Sequence, residues 1–221
     1  MNHIKDICQF LTELKQNNNR EWFKENKERY DNLRKLWLED VQYLVDKMSA
    51  YDPSLIGLNA PDCVYRIYRD IRFSKNKTPY KTHFGAVIGI GGRKCPFSCY
   101  YLHIEPGNSG LFGGVWCPQP NELKALRHAI DDNIEEWEEI LAAPELKSRY
   151  ALVGESLKTA PKGFEKDLPH INYLKMKQYI LQWFPGDEYF LAEDWKDKVA
   201  EDFRHMTGFH RFINFTLQEE L

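Results

Sequence analysis

The hydrophobic period of this chain changes twice, and those changes limit what it can fold into. Through the first quarter, Ile4, Ile7, Phe10, Leu11 and Leu14 recur at helical spacing. The polar run Asn17-Asn18-Asn19 interrupts them. Asn18 followed three residues later by Glu21 resembles a capping box, so a second helix is predicted from there, with Tyr30, Leu33, Trp37, Val41, Leu44 and Met48 in its stripe. From Val64 the period drops to two. A first strand places Ile67, Arg69, Ile71 and Phe73 on one face and Arg66, Tyr68, Asp70 and Arg72 on the other. A polar connection containing Pro79 leads to a second strand, His83 to Ile90. After a Gly91-Gly92 turn comes a third, Tyr100 to Glu105, and Leu111 to Trp116 suggests a fourth. Helical spacing returns after Pro120, with Leu126, Ile130, Ile134 and Trp137 in one amphipathic helix. Prolines then divide the remainder into short helices, the last beginning near Glu193. The prediction is a single α+β domain over residues 1–221. Its centre is an antiparallel meander of about four or more strands, packed by N-terminal and C-terminal helices.

Composition agrees with a packed globule: 43% of the 221 residues are hydrophobic and 14% aromatic. A net charge of -3 supplies no global attraction to nucleic acid or to an acidic membrane. No stretch approaches the roughly 20 apolar residues of a membrane-spanning helix. The N-terminus lacks the basic and apolar regions of a secretory signal. Five cysteines at irregular spacings do not describe a disulfide framework. These features predict a cytoplasmic protein with no membrane partner.

The near-neutral total hides an uneven distribution. Between Arg66 and Lys81 stand six basic residues, Arg66, Arg69, Arg72, Lys75, Lys77 and Lys81, against one acid, Asp70. On paired strands the polar faces would join Arg66, Tyr68, Asp70 and Arg72 to His83 and to Tyr101, His103 and Glu105. Such a set suits an anion, because Arg offers a planar fork and Lys a mobile charge. The predicted ligand is small, anionic and phosphorylated, held by Arg66, Tyr68, Arg72, Lys77 and Lys81. If the site is catalytic, Asp70, His83 and His103 are the candidates for proton transfer. The competing reading is a self-neutralising Arg-Asp network with no ligand. Two further alternatives use the same face: a non-enzymatic interaction module, and a nucleic-acid-binding surface with Tyr65, Tyr68, Phe73, Tyr80 and Phe84 as stacking rings. No nucleic-acid-binding motif appears, and the net charge disfavours that partner.

No cofactor is predicted. His83, His103 and Glu105 are residue types that bind metals, but nothing in their spacing demands it. Cys95 and Cys99 are spaced too loosely for a zinc knuckle and have no second pair. Gly89-Ile90-Gly91-Gly92-Arg93-Lys94 lacks the order of a phosphate loop and reads as a hairpin turn.

Several segments carry a wider resemblance. Asn18 to Phe23, Tyr65 to Ser74, Lys77 to Thr82, Tyr100 to Gly107, Gly113 to Trp116 and Pro161 to Phe164 are similar, in that order, to the motifs of the domain-of-unknown-function family 2461. The resemblance covers nearly the whole chain and implies a compact α+β domain in the cytoplasm. It brings no reaction, substrate or catalytic residue with it. Its long central motif coincides with the basic segment that the charge count selects.

Overall fold

A computed structural model describes residues 2–219. The chain opens with α1 (Ile4–Gln16), α2 (Arg20–Glu25), α3 (Lys27–Met48) and the short α4 (Ala60–Cys63). Strands β1 (Phe84–Ile88), β2 (Cys99–Ile104) and β3 (Gly110–Val115) come next. Helices α5 (Pro120–Asp132), α6 (Ile134–Ala142) and α7 (Pro144–Lys147) precede β4 (Ala151–Val153), α8 (Ile171–Leu174) and β5 (Tyr179–Trp183). Then follow α9 (Asp187–Leu191), α10 (Trp195–Arg204) and α11 (Thr207–Glu219). The strands form a five-stranded antiparallel sheet in the order β1-β2-β3-β5-β4, so the predicted α+β class holds. β4 pairs with β5 with Leu152 opposite Leu181. Among the described residues no helix is long and apolar enough to cross a membrane.

The contacts define two compact units. The first comprises Met1–Cys95, Tyr101–Leu111 and Phe184–Glu201. Its core gathers on Trp37 of α3, fully buried, whose ring lies 6.0 Å from that of Phe84 on β1. The Tyr30 ring meets Phe84 edge-on at 6.1 Å. The second unit comprises Pro96–Tyr100, Phe112–Trp183 and Asp202–Leu221. There the buried Trp137 of α6 touches Tyr179 of β5 at 5.7 Å and Phe209 and Phe212 of α11 at 5.4 and 5.2 Å. Aromatic pairs of this kind hold a helix layer onto a sheet by area and by edge-to-face attraction.

Helical stretches follow the apolar stripes closely, with breaks at asparagines. The second predicted helix is two: Asn19 rather than Asn18 caps α2, its side chain accepting the Trp22 N–H at 2.9 Å, and Asn26 separates α2 from α3. Likewise Asn133 separates α5 from α6. Strands β4 and β5 stand where only short helices are predicted. β4 has three residues, and Tyr179-Ile180-Leu181 of β5 is a buried apolar run with no alternation, which periodicity cannot tell from a helix. After α10, α11 is a further helix beyond the predicted last one.

The largest departure is the first predicted strand. Residues 64–73 make only isolated bridges, Val64 with Ala86 and Tyr68 with Tyr80, supported by Tyr65 N–H to Gly85 O and Lys81 N–H to Ile67 O. Beyond Tyr68 the segment turns. Asp70 captures the backbone N–H of Arg72 at 3.2 Å, and Ser74 N–H reaches back to Ile71 O. A short acidic side chain that bonds the backbone two residues on competes directly with a ladder. The predicted core row therefore ends at Ile67, which is buried, while Phe73 is 95% exposed.

Replacing Trp37 by Ala should cost about 3–5 kcal/mol in urea unfolding, as for other buried aromatics. Phe73→Ala should stay within about 0.5 kcal/mol of wild type, as a surface change does. A large loss at Phe73 would restore that residue to the core and overturn the loop.

Candidate functional site

After Tyr80 the chain bends at Thr82 and His83 and enters β1, where Phe84 packs against Trp37 while Gly85 lies under Tyr101. On β2 the buried positions Tyr100, Leu102 and Ile104 alternate with half-buried Tyr101 and His103. The two strands thereby bring a polar face together. The His83 and His103 rings lie 4.5 Å apart, inclined by 33°. Gly85 makes room for its neighbour: a Cβ there would sit 2.6 Å from the Tyr101 hydroxyl oxygen.

A chain of hydrogen bonds runs along β2. The Tyr101 hydroxyl lies 2.9 Å from His103 Nδ1, and His103 Nε2 lies 3.3 Å from Glu105 Oε2. Thr82 Oγ1 donates to Glu105 Oε1 at 3.0 Å and Asn108 Nδ2 to Oε2 at 3.2 Å. Burial alone would raise the Glu105 carboxyl, but the hydrogen bonds from Asn108, His103 and Thr82 outweigh it and hold the group below its ordinary value. Glu105 is thus ionised at neutral pH. Burial lowers His103 despite the carboxylate beside it, so its ring is neutral. A neutral imidazole facing an ionised carboxylate carries its proton on Nε2 and leaves Nδ1 to accept the Tyr101 O–H. Burial, with Tyr65 and Glu105, raises Tyr101 well above its ordinary value and keeps it a phenol.

Positive charge gathers beside this chain. Lys81 Nζ sits 4.6 Å from the centre of the Tyr65 ring, and Tyr65 meets Tyr101 edge-on at 6.4 Å. Burial, with Arg66 and Arg93, pushes Lys81 below its usual value. Among the described residues no carboxylate pairs with Lys81, Arg66 or Arg93. Arg93 donates instead to the carbonyls of Pro61 and Val64. His83 is driven from 6.5 to about 4 by burial, with His103 and Lys81 adding to the effect. Its ring makes no hydrogen bond among the described residues.

The residues predicted from sequence therefore divide. Lys81, His83 and His103 meet on the polar face, with Arg66 exposed beside Lys81. Asp70, Arg72 and Lys77 lie in the loop of residues 69–78 and satisfy one another. Arg72 binds Asp70 through Nη2 at 2.6 Å, and Lys77 Nζ caps the Ile71 carbonyl at 2.9 Å. Arg69 closes the same loop onto Thr78. Tyr68 packs against Phe23 and Tyr80 at 5.8 and 5.5 Å. The sequence places Tyr101 on the face without a role and offers Glu105, besides its place on the face, only as a possible metal ligand. Their i, i+2 spacing about His103 is the signal that sequence carried for the hydrogen-bonded chain.

Two grooves, of about 820 and 570 Å³, lie in the second unit. The first is lined by Lys124, His128, Asp132 and Phe215 among others, and neither includes a residue of the polar face. Volume alone would select them; the concentration of shifted acid–base groups selects the face. Among the described residues no group of three or more His, Cys, Asp or Glu is arranged to hold a metal ion.

Compared with known proteins, residues 6–212 match one family, described as conserved hypothetical protein (DUF2461). No curated protein and no solved structure matches.

His83 should titrate near pH 4 by NMR of its ring protons, and Lys81→Met should raise that midpoint by removing a neighbouring charge. The unfolded chain takes up this proton near 6.5 and the folded chain near 4. The resulting stability is complete above 6.5 and is lost as pH falls through 4. A His83 midpoint at its ordinary value would contradict this.

Proposed function

The chain belongs to the DUF2461 family of conserved hypothetical proteins, and from that premise we propose that its polar face binds a small phosphorylated anion. The observation that carries this reading is Lys81, half-buried among cations and, among the described residues, without a carboxylate partner. Two like charges held beside a third, partly out of water, cost free energy that an anion would return. In this reading Lys81 and Arg66 hold the ligand, while His83 donates a hydrogen bond and His103 moves protons. Asp70, Arg72, Lys77 and Tyr68 shape and anchor the adjoining loop.

A second reading, docking of an acidic partner, is favoured by the loop itself. Phe73 stands 95% exposed at its tip, with Arg72 5.9 Å from the ring. The same tip would serve a stacked base, although the net charge of -3 opposes a nucleic acid.

Inorganic phosphate at a hundredfold excess over Kd should add about 2.7 kcal/mol to stability. For a chain this long that raises Tm by roughly 5–10 °C. The shift should vanish in Lys81→Ala and persist in Arg72→Ala and Phe73→Ala, measured by differential scanning fluorimetry. If phosphate, a hexose phosphate and a nucleoside monophosphate all leave wild type and Lys81→Ala alike, the reading is wrong. A phosphate effect lost in Phe73→Ala but kept in Lys81→Ala would move the site to the loop.

A further inference from the structure

We infer that His83 takes up a proton when an anion settles beside Lys81, so that the polar face binds its ligand and a proton together. The inference rests on the anion-binding reading and adds proton coupling to it. His83 follows Lys81 by two residues, which keeps their backbones within about 7 Å of one another. Its ring lies 4.5 Å from that of His103, inclined by 33°. Among the described residues the His83 ring makes no hydrogen bond. The residue is half-buried rather than sealed, so a ligand oxygen can supply the partner that a ring N–H wants.

The charged and titratable groups around this ring come from several segments. Lys81 precedes it on its own segment, His103 and Glu105 stand on β2, and the charges of Arg66 and Arg93 act on Lys81. The Tyr65 and Tyr101 rings border the same face. Burial opposes a charged His83 most, then His103, then Lys81; Glu105 alone favours it. The Glu105 carboxylate is engaged by Thr82, Asn108 and His103. The ring is accordingly neutral at ordinary pH and gains its proton only near 4.

An anion reverses that balance. Its charge offsets Lys81, and its oxygens accept a hydrogen bond from the ring, so one opposing influence is cancelled and a favourable one added. Burial and His103 remain. Two imidazoles 4.5 Å apart do not both charge readily, so the pair gains a single proton. Linkage makes the effect reciprocal: an anion that raises the affinity for a proton is itself held more tightly by the protonated chain. Between the free midpoint near 4 and the higher midpoint of the complex, each fall of one pH unit tightens binding up to about tenfold. Above the higher midpoint the ring is neutral in both states and affinity is flat. The face thus holds its ligand in acid and loosens it toward neutrality.

The test uses the full chain and sulfate, which stays dianionic over this range, whereas phosphate takes up a proton of its own. NMR of the His83 ring protons needs no variant: with sulfate in saturating amount the midpoint should rise from about 4 to about 6. By calorimetry, the Kd for sulfate should then be about tenfold lower at about pH 5 than at about pH 7.5. His83→Gln keeps a hydrogen-bonding amide but cannot titrate, and should bring that ratio to within about twofold of unity, whatever its own affinity. A midpoint that stays near 4 with sulfate bound overturns the coupling and leaves the anion site standing. So does a pH dependence of Kd that survives in His83→Gln. Absence of sulfate and phosphate binding at both pH values removes the anion site and the coupling together.

Discussion

Two hydrogen bonds between one side chain and one backbone residue determine where the polar face lies. The Asn18 amide donates to Tyr80 O at 3.0 Å and accepts from Tyr80 N–H at 3.1 Å, doing for that residue what a neighbouring strand would do. Phe23 stacks on the Tyr80 ring at 4.0 Å and 17°, and Tyr80 is buried. Tyr80 thereby packs inward, and Phe84, at the start of β1, enters the cluster of Tyr30 and Trp37. Between them the chain bends at Thr82 and His83, and contacts rather than alternation place Lys81 against Tyr65, Thr82 against Glu105 and His83 against His103.

The same segment shows two fates for positive charge. In the loop, Arg72 closes on Asp70 in an exposed pair, an arrangement that adds little stability in water. Just before β1, Lys81 is half-buried beside the charges of Arg66 and Arg93, and among the described residues no carboxylate pairs with it. Burial, with His103 and Lys81 adding to it, keeps His83 neutral down to about pH 4. Sequence proximity joins these cations; what separates them is whether a carboxylate can reach.

Glu105 illustrates how a site acquires direction. Three donors converge on its carboxylate, and together they keep it ionised against the cost of burial. That charge decides which nitrogen of His103 carries hydrogen, and His103 in turn decides where the Tyr101 proton points. Polarity is thus passed along β2 from Glu105 through His103 to Tyr101.

Much of this was legible in the residues. The stripe of Leu33, Trp37, Val41 and Leu44 and the alternation of Tyr100, Leu102 and Ile104 announce a helix and a strand because burial on one face leaves a period in the chain. Counting charge selects the segment from Arg66 to Lys81 without coordinates, and with it Lys81; His83 and His103 follow from alternation on the flanking strands. Alternation past Val64 was misleading, because Asp70 binds the backbone of Arg72 and turns a patterned segment into a loop. Periodicity assigns a side to each residue but cannot report which of two chemically equal cations finds an acid. Tertiary structure alone pairs Arg72 with Asp70 and, among the described residues, leaves Lys81 without a carboxylate. It also sets His103 between Tyr101 and Glu105, since hydrogen bonds and charge pairs depend on distances of a few ångströms that spacing along the chain does not encode.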